Sequence, residues 1–142
     1  VSRTADARRR TVAGAALAVV VVAGLVVATQ VPDPAGDVGG DVLYAVATYA
    51  LVALVLPRLR PGVVAALALG WCWSVEALQA TGLAAAVNDE VPPAAWLLGS
   101  TFAVRDLVCY AAGVGLALAA DAGARRVAGA RAAGRATARP RT

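Results

Sequence analysis

The sequence predicts an all-α protein, an integral membrane four-helix bundle with both termini in the cytoplasm. Three observations predict it. Hydrophobic residues make up 60% of the 142 residues and mean hydropathy is +0.70, too high for a chain with a wet surface. These residues are mostly Ala, Val and Leu in long runs rather than amphipathic stripes, which points to lipid as the solvent. The 13 basic residues are all arginine, and every one except Arg105 falls in the N-terminal stretch, one turn or the C-terminal stretch. Four spans put those three tracts on one side, and the positive-inside rule makes that side the cytoplasm.

The elements follow in order. Residues 1–10 form a basic cytoplasmic N-terminus, with Arg3, Arg8, Arg9 and Arg10 against Asp6. Residues 11–31 are uncharged and long enough for ~30 Å of hydrocarbon. The run exceeds a signal-peptide core and no small-x-small cleavage site follows it, so it reads as a retained first span. Pro32, Asp33, Pro34, Gly36, Asp37, Gly39 and Gly40 read as an acidic loop of helix breakers. A second span covers about 41–56 and stops at Pro57. Arg58, Arg60 and Pro61 make a basic turn.

A third span covers about 63–82, with Thr81-Gly82 as its end. Residues 83–95, with Asn88, Asp89, Glu90, Pro92 and Pro93, read as an acidic loop, and Trp96 as an interfacial anchor. A fourth span covers about 102–120, so the transmembrane domain is 11–121. The Arg/Ala-rich tail 122–142 is expected to be mobile or to lie along the inner membrane surface. Small residues recur every fourth position at Ala66, Gly70 and Ser74 and at Ala111, Gly115 and Ala119. That spacing predicts close packing of the third and fourth spans along those stripes.

Composition excludes several chemistries. Histidine is absent, which removes the commonest general base and metal ligand. Cys72 and Cys109 make no metal-spaced pair and read as small packing residues. No phosphate loop or nucleic-acid stripe occurs, and no cofactor or metal is implied. Although the pI is 9.8, the arginines flank membrane spans. The partners expected are therefore membrane lipids, with anionic headgroups at the cytoplasmic face, and not nucleic acid. A homo-oligomer or another membrane partner stays open. The Arg- and Ala-rich usage points to a GC-rich bacterial genome, and so to the bacterial cytoplasmic membrane.

Within the spans the polar residues are few and costly. Glu76 and Gln79 share a helix face, with Cys72 and Trp73 one turn below. Asp41 has Tyr44 and Thr48 beside it, and Asp106 has Cys109, Tyr110 and Gly113. Counting at 1.5 Å per residue puts all three carboxylates in the outer half, with Glu76 ~20 Å from the start of its span. Arg105 is expected to pair with Glu76 or Asp41, because Asp106 is adjacent in sequence and points elsewhere around the helix. The candidate site is therefore Asp41, Tyr44, Glu76, Gln79, Arg105, Asp106 and Tyr110.

Three readings of this site follow. The first is an outward-facing acidic cluster that binds or moves a polar headgroup, cation or small solute in the envelope. The second is a structural membrane scaffold without ligand. A carboxylate-based membrane enzyme comes third, since Ser74 and Ser100 have no His or Lys to act as base.

Gly40-Asp41-x-Leu43-Tyr44-Ala45, then Glu76-x-x-Gln79, then Leu98-Gly99-x-x-Phe102-x-x-x-Asp106-Leu107-x-x-Tyr110-x-x-Gly113 resemble the small bacterial membrane proteins of the DUF2809 family. The resemblance covers about residues 15–120. It implies a four-helix membrane protein and no activity. A more distant similarity runs to VanZ-like proteins, linked to glycopeptide-antibiotic resistance, which also carry Glu-x-x-Gln in one span. Here the sequence departs from their pattern: Tyr110 stands where Asn is expected, and no Arg-x-x-Asp-x-x-Asp run precedes it.

Overall fold

Four helices long and apolar enough to cross a membrane organise the chain. The computed structural model describes residues 2–98 and 103–137. They form α1 (Ser2–Gln30), α2 (Ala35–Val55), α3 (Pro61–Ala80), the short α4 (Leu83–Glu90), a 3-10 turn (Pro92–Ala94), α5 (Ala95–Leu98) and α6 (Val104–Thr137). No strand occurs among the described residues. The valine-rich α1 is a weak helix former in water, but hydrocarbon leaves the backbone no partner except itself, and the helix is enforced. At its C-terminal end α2 stops before Pro57, and α3 opens on Pro61, whose fixed φ suits a first helical position. Gly82 ends α3 with φ 77°, the left-handed conformation that glycine adopts without strain.

The pairing of elements is up-down-up-down. α1 and α2 make an antiparallel hairpin, with Gly14 facing Leu54 at one end and Gly39 facing Val27 at the other. α2 is the central helix and packs against α1, α3 and α6. It runs parallel to α6, since Val42 and Ala45 abut Gly113 and Tyr49 bonds Asp121 further along. α1 rests mainly on α2, which leaves Val12, Val19, Val22, Leu25 and Val26 exposed to the lipid expected around them. The core is built from small residues, among them Ala45, Ala53, Val64, Ala68 and Cys72, together with Tyr49 and Tyr110. Small side chains bring the backbones together where hydrocarbon supplies no hydrophobic drive between helices.

Several expectations are corrected. The glycine-rich stretch 35–40 is helical, and α2 begins at Ala35 rather than near Asp41. Gly36 and Gly39 serve close approach, and none of its glycines breaks the helix. A Cβ on Gly36 would lie 2.5 Å from the Val31 carbonyl oxygen, and one on Gly39 would lie 3.1 Å from Val27. Residues 83–95 are not a plain loop but α4, the 3-10 turn and the start of α5.

α6 continues unbroken through Asp121 to Thr137, where alanine and arginine, both strong helix formers, carry it on. The expected tail is helical as far as Thr137, and residues 138–142 lie outside the described residues. The third and fourth spans do pack together, α3 against α6, but not along the two small-residue stripes. Ala66, Gly70, Ser74, Ala111, Gly115 and Ala119 all face outward. The packed faces are Val64-Ala65-Ala68-Cys72-Val75-Glu76 on α3 and Asp106-Cys109-Tyr110-Gly113-Val114 on α6.

Candidate functional site

One end of the bundle holds the loop after α1, the α4–α5 cap and the start of α6; the other holds most of the arginines. At the first end a cavity of about 370 Å3 lies between α1, α2, α3 and α5. Val20, Val21 and Leu25 of α1 make an apolar wall. Asp41 and Tyr44 from α2, Gln79 from α3 and Tyr110 from α6 supply the polar groups opposite. Helical spacing explains the set: Asp41 and Tyr44 are three apart and share a face.

α5 roofs this space. The Tyr44 hydroxyl donates to the Leu97 carbonyl at 3.0 Å, and the Gln79 amide nitrogen donates to that of Leu98. Trp71 Nε1 donates to the Tyr44 hydroxyl at 3.0 Å, which fixes that ring. The Tyr44 and Tyr110 rings stand 6.0 Å apart, tilted by 53°. Trp96 lines the cavity and is 69% exposed.

Glu76 sits behind Tyr110, 1% exposed, and its Oε1 accepts the tyrosine hydroxyl at 2.9 Å. Its Oε2, the Oδ2 of Asp41 and the Oε1 of Gln79 are buried and meet no hydrogen-bond donor among the described residues. The carboxyl groups of Asp41 and Asp106 face each other closely enough for a hydrogen bond once one of them carries a proton. Asp41 and Gln79 line the cavity and Glu76 lies behind it; buried acceptors without donors beside a wall of valine and leucine are costly unless something supplies the donors.

Arg105 does not take the predicted partner. It lies on the rim with its side chain 45% exposed and pairs with Asp37 Oδ2 at 3.5 Å and Asp106 Oδ1 at 3.4 Å. Neither Glu76 nor Asp41 is its salt-bridge partner. The reason is register. Starting α2 at Ala35 lifts Asp37 into its first turn, opposite the first turn of α6, and the long arginine side chain also folds back to Asp106. Such an exposed, screened pair carries little stability. Trp73 is the other misplaced neighbour: Cys72 is buried with Glu76, while Trp73 is 47% exposed. Gly99, Ser100 and Phe102 lie outside the described residues.

A second polar group lies at the opposite end. Arg9 donates through Nη2 to Asp121 Oδ2 at 2.7 Å and through Nη1 to the carbonyls of Leu59, at 2.8 Å, and Pro57. The Tyr49 hydroxyl donates to the same Asp121 oxygen at 2.9 Å, and Arg125 Nε reaches Oδ1 at 3.2 Å. Arg9 and Asp121 are only 14% and 18% exposed. This network ties α1, α2, the α2–α3 turn and α6 together and supplies donors to the turn carbonyls of Pro57 and Leu59. Its one sequence signal is a lone acid in an arginine-rich stretch, which reads equally well as a solvated charge.

The family model described as "Protein of unknown function (DUF2809)" matches residues 31–114. No curated protein and no solved structure matches. The matched region covers α2, α3, the α4–α5 cap and the first turns of α6, and contains all seven candidate residues. It leaves out α1 and Asp121. Since it takes in more than half of the chain, this multi-pass membrane protein belongs to the DUF2809 family, whose function is unknown.

Proposed function

We propose that this protein is a binding module of the bacterial cytoplasmic membrane that holds an amphiphile by a head rich in hydrogen-bond donors. The observation that carries the reading is the set of buried oxygens, Asp41 Oδ2, Glu76 Oε2 and Gln79 Oε1, unpaired among the described residues at or beside a cavity with an apolar α1 wall. A primary ammonium suits them: it brings three donors and a positive charge to a group of carboxylates, and its hydrocarbon chain lies against Val20, Val21 and Leu25. Both termini are cytoplasmic in this reading, with the cavity on the outer side. The twelve arginines outside the α6 rim support that orientation.

The test compares dodecylamine with dodecyltrimethylammonium, which has the same chain and charge but no donors, on the full chain in nanodiscs. Trp71 and Trp96 report binding by fluorescence. The amine is expected to bind at least about tenfold more tightly, the weight of one hydrogen bond to a charged group. Asp41→Asn is expected to remove most of that advantage, and Glu76→Gln part of it, with the bundle still folded. Equal binding of the two amphiphiles, unchanged by either substitution, would mean that the polar residues only fix helix register.

A further inference from the structure

A second cavity, of about 430 Å3, lies at the arginine-rich end between the first turns of α1 and the α2–α3 turn. Arg3, Asp6 and Arg10 line it from α1, spaced three and four apart and hence on one helix face. Val55, Leu56 and Arg58 line it from the other side. Asp6 pairs with Arg58 at 2.9 Å. Arg3 and Arg10 have no ion pair or hydrogen bond among the described residues, although Arg9 between them engages Asp121 and the turn through Nη1 and Nη2. Three guanidinium groups against one carboxylate leave the cavity with two uncompensated positive charges, next to an apolar edge formed by Val55 and Leu56. Basic pockets between membrane helices at this level suit phosphate headgroups, and arginine matches phosphate oxygens in a two-pronged way.

We propose that this cavity binds a phosphate-bearing anion, with Arg3 and Arg10 as its principal contacts and Arg58, anchored by Asp6, as the third. The site is independent of the cavity under α5. It uses different residues at the opposite end of the bundle.

The test uses the full chain in phosphatidylcholine nanodiscs containing a minor fraction of phosphatidylglycerol, with retained lipid counted by native mass spectrometry. Arg3→Gln/Arg10→Gln removes both contacts and breaks no internal interaction, so the variant folds. A control, Arg126→Gln/Arg131→Gln, removes the same charge from an exposed stretch of α6. The cavity pair is expected to weaken phosphatidylglycerol retention about 30-fold, and the control by no more than about threefold. In parallel, inorganic phosphate is titrated into the protein in neutral detergent while thermal unfolding is followed. Stabilisation that the cavity variant loses identifies free phosphate as sufficient. An effect confined to phosphatidylglycerol assigns the site to a lipid headgroup. Equal losses in the two variants, or equal retention of phosphatidylcholine and phosphatidylglycerol, would overturn the proposal.

Discussion

Asp121→Ala is expected to destabilise the bundle more than any other single removal of charge. It strips Arg9, Tyr49 and Arg125 of one shared acceptor, and Arg9 stays fixed at 14% exposure with no counterion. Removing one partner of an enclosed ion pair costs about 3–5 kcal/mol. Solvent reaches this pair in part, which reduces the expected loss to about 2–4 kcal/mol. Reversible unfolding in mixed micelles measures it. The double change Arg9→Ala/Asp121→Ala should recover part of the loss, because the stranded cation is then gone. A loss below about 1 kcal/mol would class the network with ordinary surface pairs.

Gly113 carries the second large effect. A Cβ built there would stand 2.5 Å from the Val42 carbonyl oxygen and 2.9 Å from the Ala45 Cβ, so α2 and α6 must separate to admit even a methyl group. Gly113→Ala is expected to cost about 1–3 kcal/mol, the range for overpacking a close contact. Gly113→Leu should prevent the native α2–α6 contact altogether. Gly115, two residues on, has nothing within 4 Å of a built Cβ, and Gly115→Leu should change stability by no more than about 0.5 kcal/mol. Unfolding of the three variants under one condition separates the packed face from the outward one. Similar losses at both positions would contradict the helix orientation described here.

These two residues also mark what the sequence could and could not convey. Apolar run length and arginine placement were sufficient for four helices, because hydrocarbon permits few backbone solutions. Which face each helix buries was not legible. In an alanine-rich chain every face carries small residues, and the every-fourth spacing of Ala111, Gly115 and Ala119 reads no differently from that of Cys109, Gly113 and Ala117. Only the Val42 carbonyl pressed against Gly113 distinguishes them.

Among the candidate residues, Asp41, Tyr44, Gln79 and Tyr110 meet at one cavity, and Glu76 stands behind Tyr110, as helical spacing allows. The partner of Arg105 is not legible because the glycines in 36–40 resemble helix breakers and place Asp37 in a loop, whereas it is the facing helical residue. Asp121 was invisible for a different reason. Its partners Arg9 and Tyr49 are 112 and 72 residues away, and no local pattern encodes such a contact.

The central claim is that the cavity beneath α5 holds a donor-bearing head against Asp41 and Gln79. A structure of the full chain crystallised from a lipid mesophase tests it most directly. The account predicts density for an amphiphile whose head lies within about 2.7–3.2 Å of Asp41 Oδ2 and Gln79 Oε1, with its chain along Val20, Val21 and Leu25. A cavity closed by α1 settling onto α2 and α3, with those oxygens satisfied by donors from the protein itself, would contradict it.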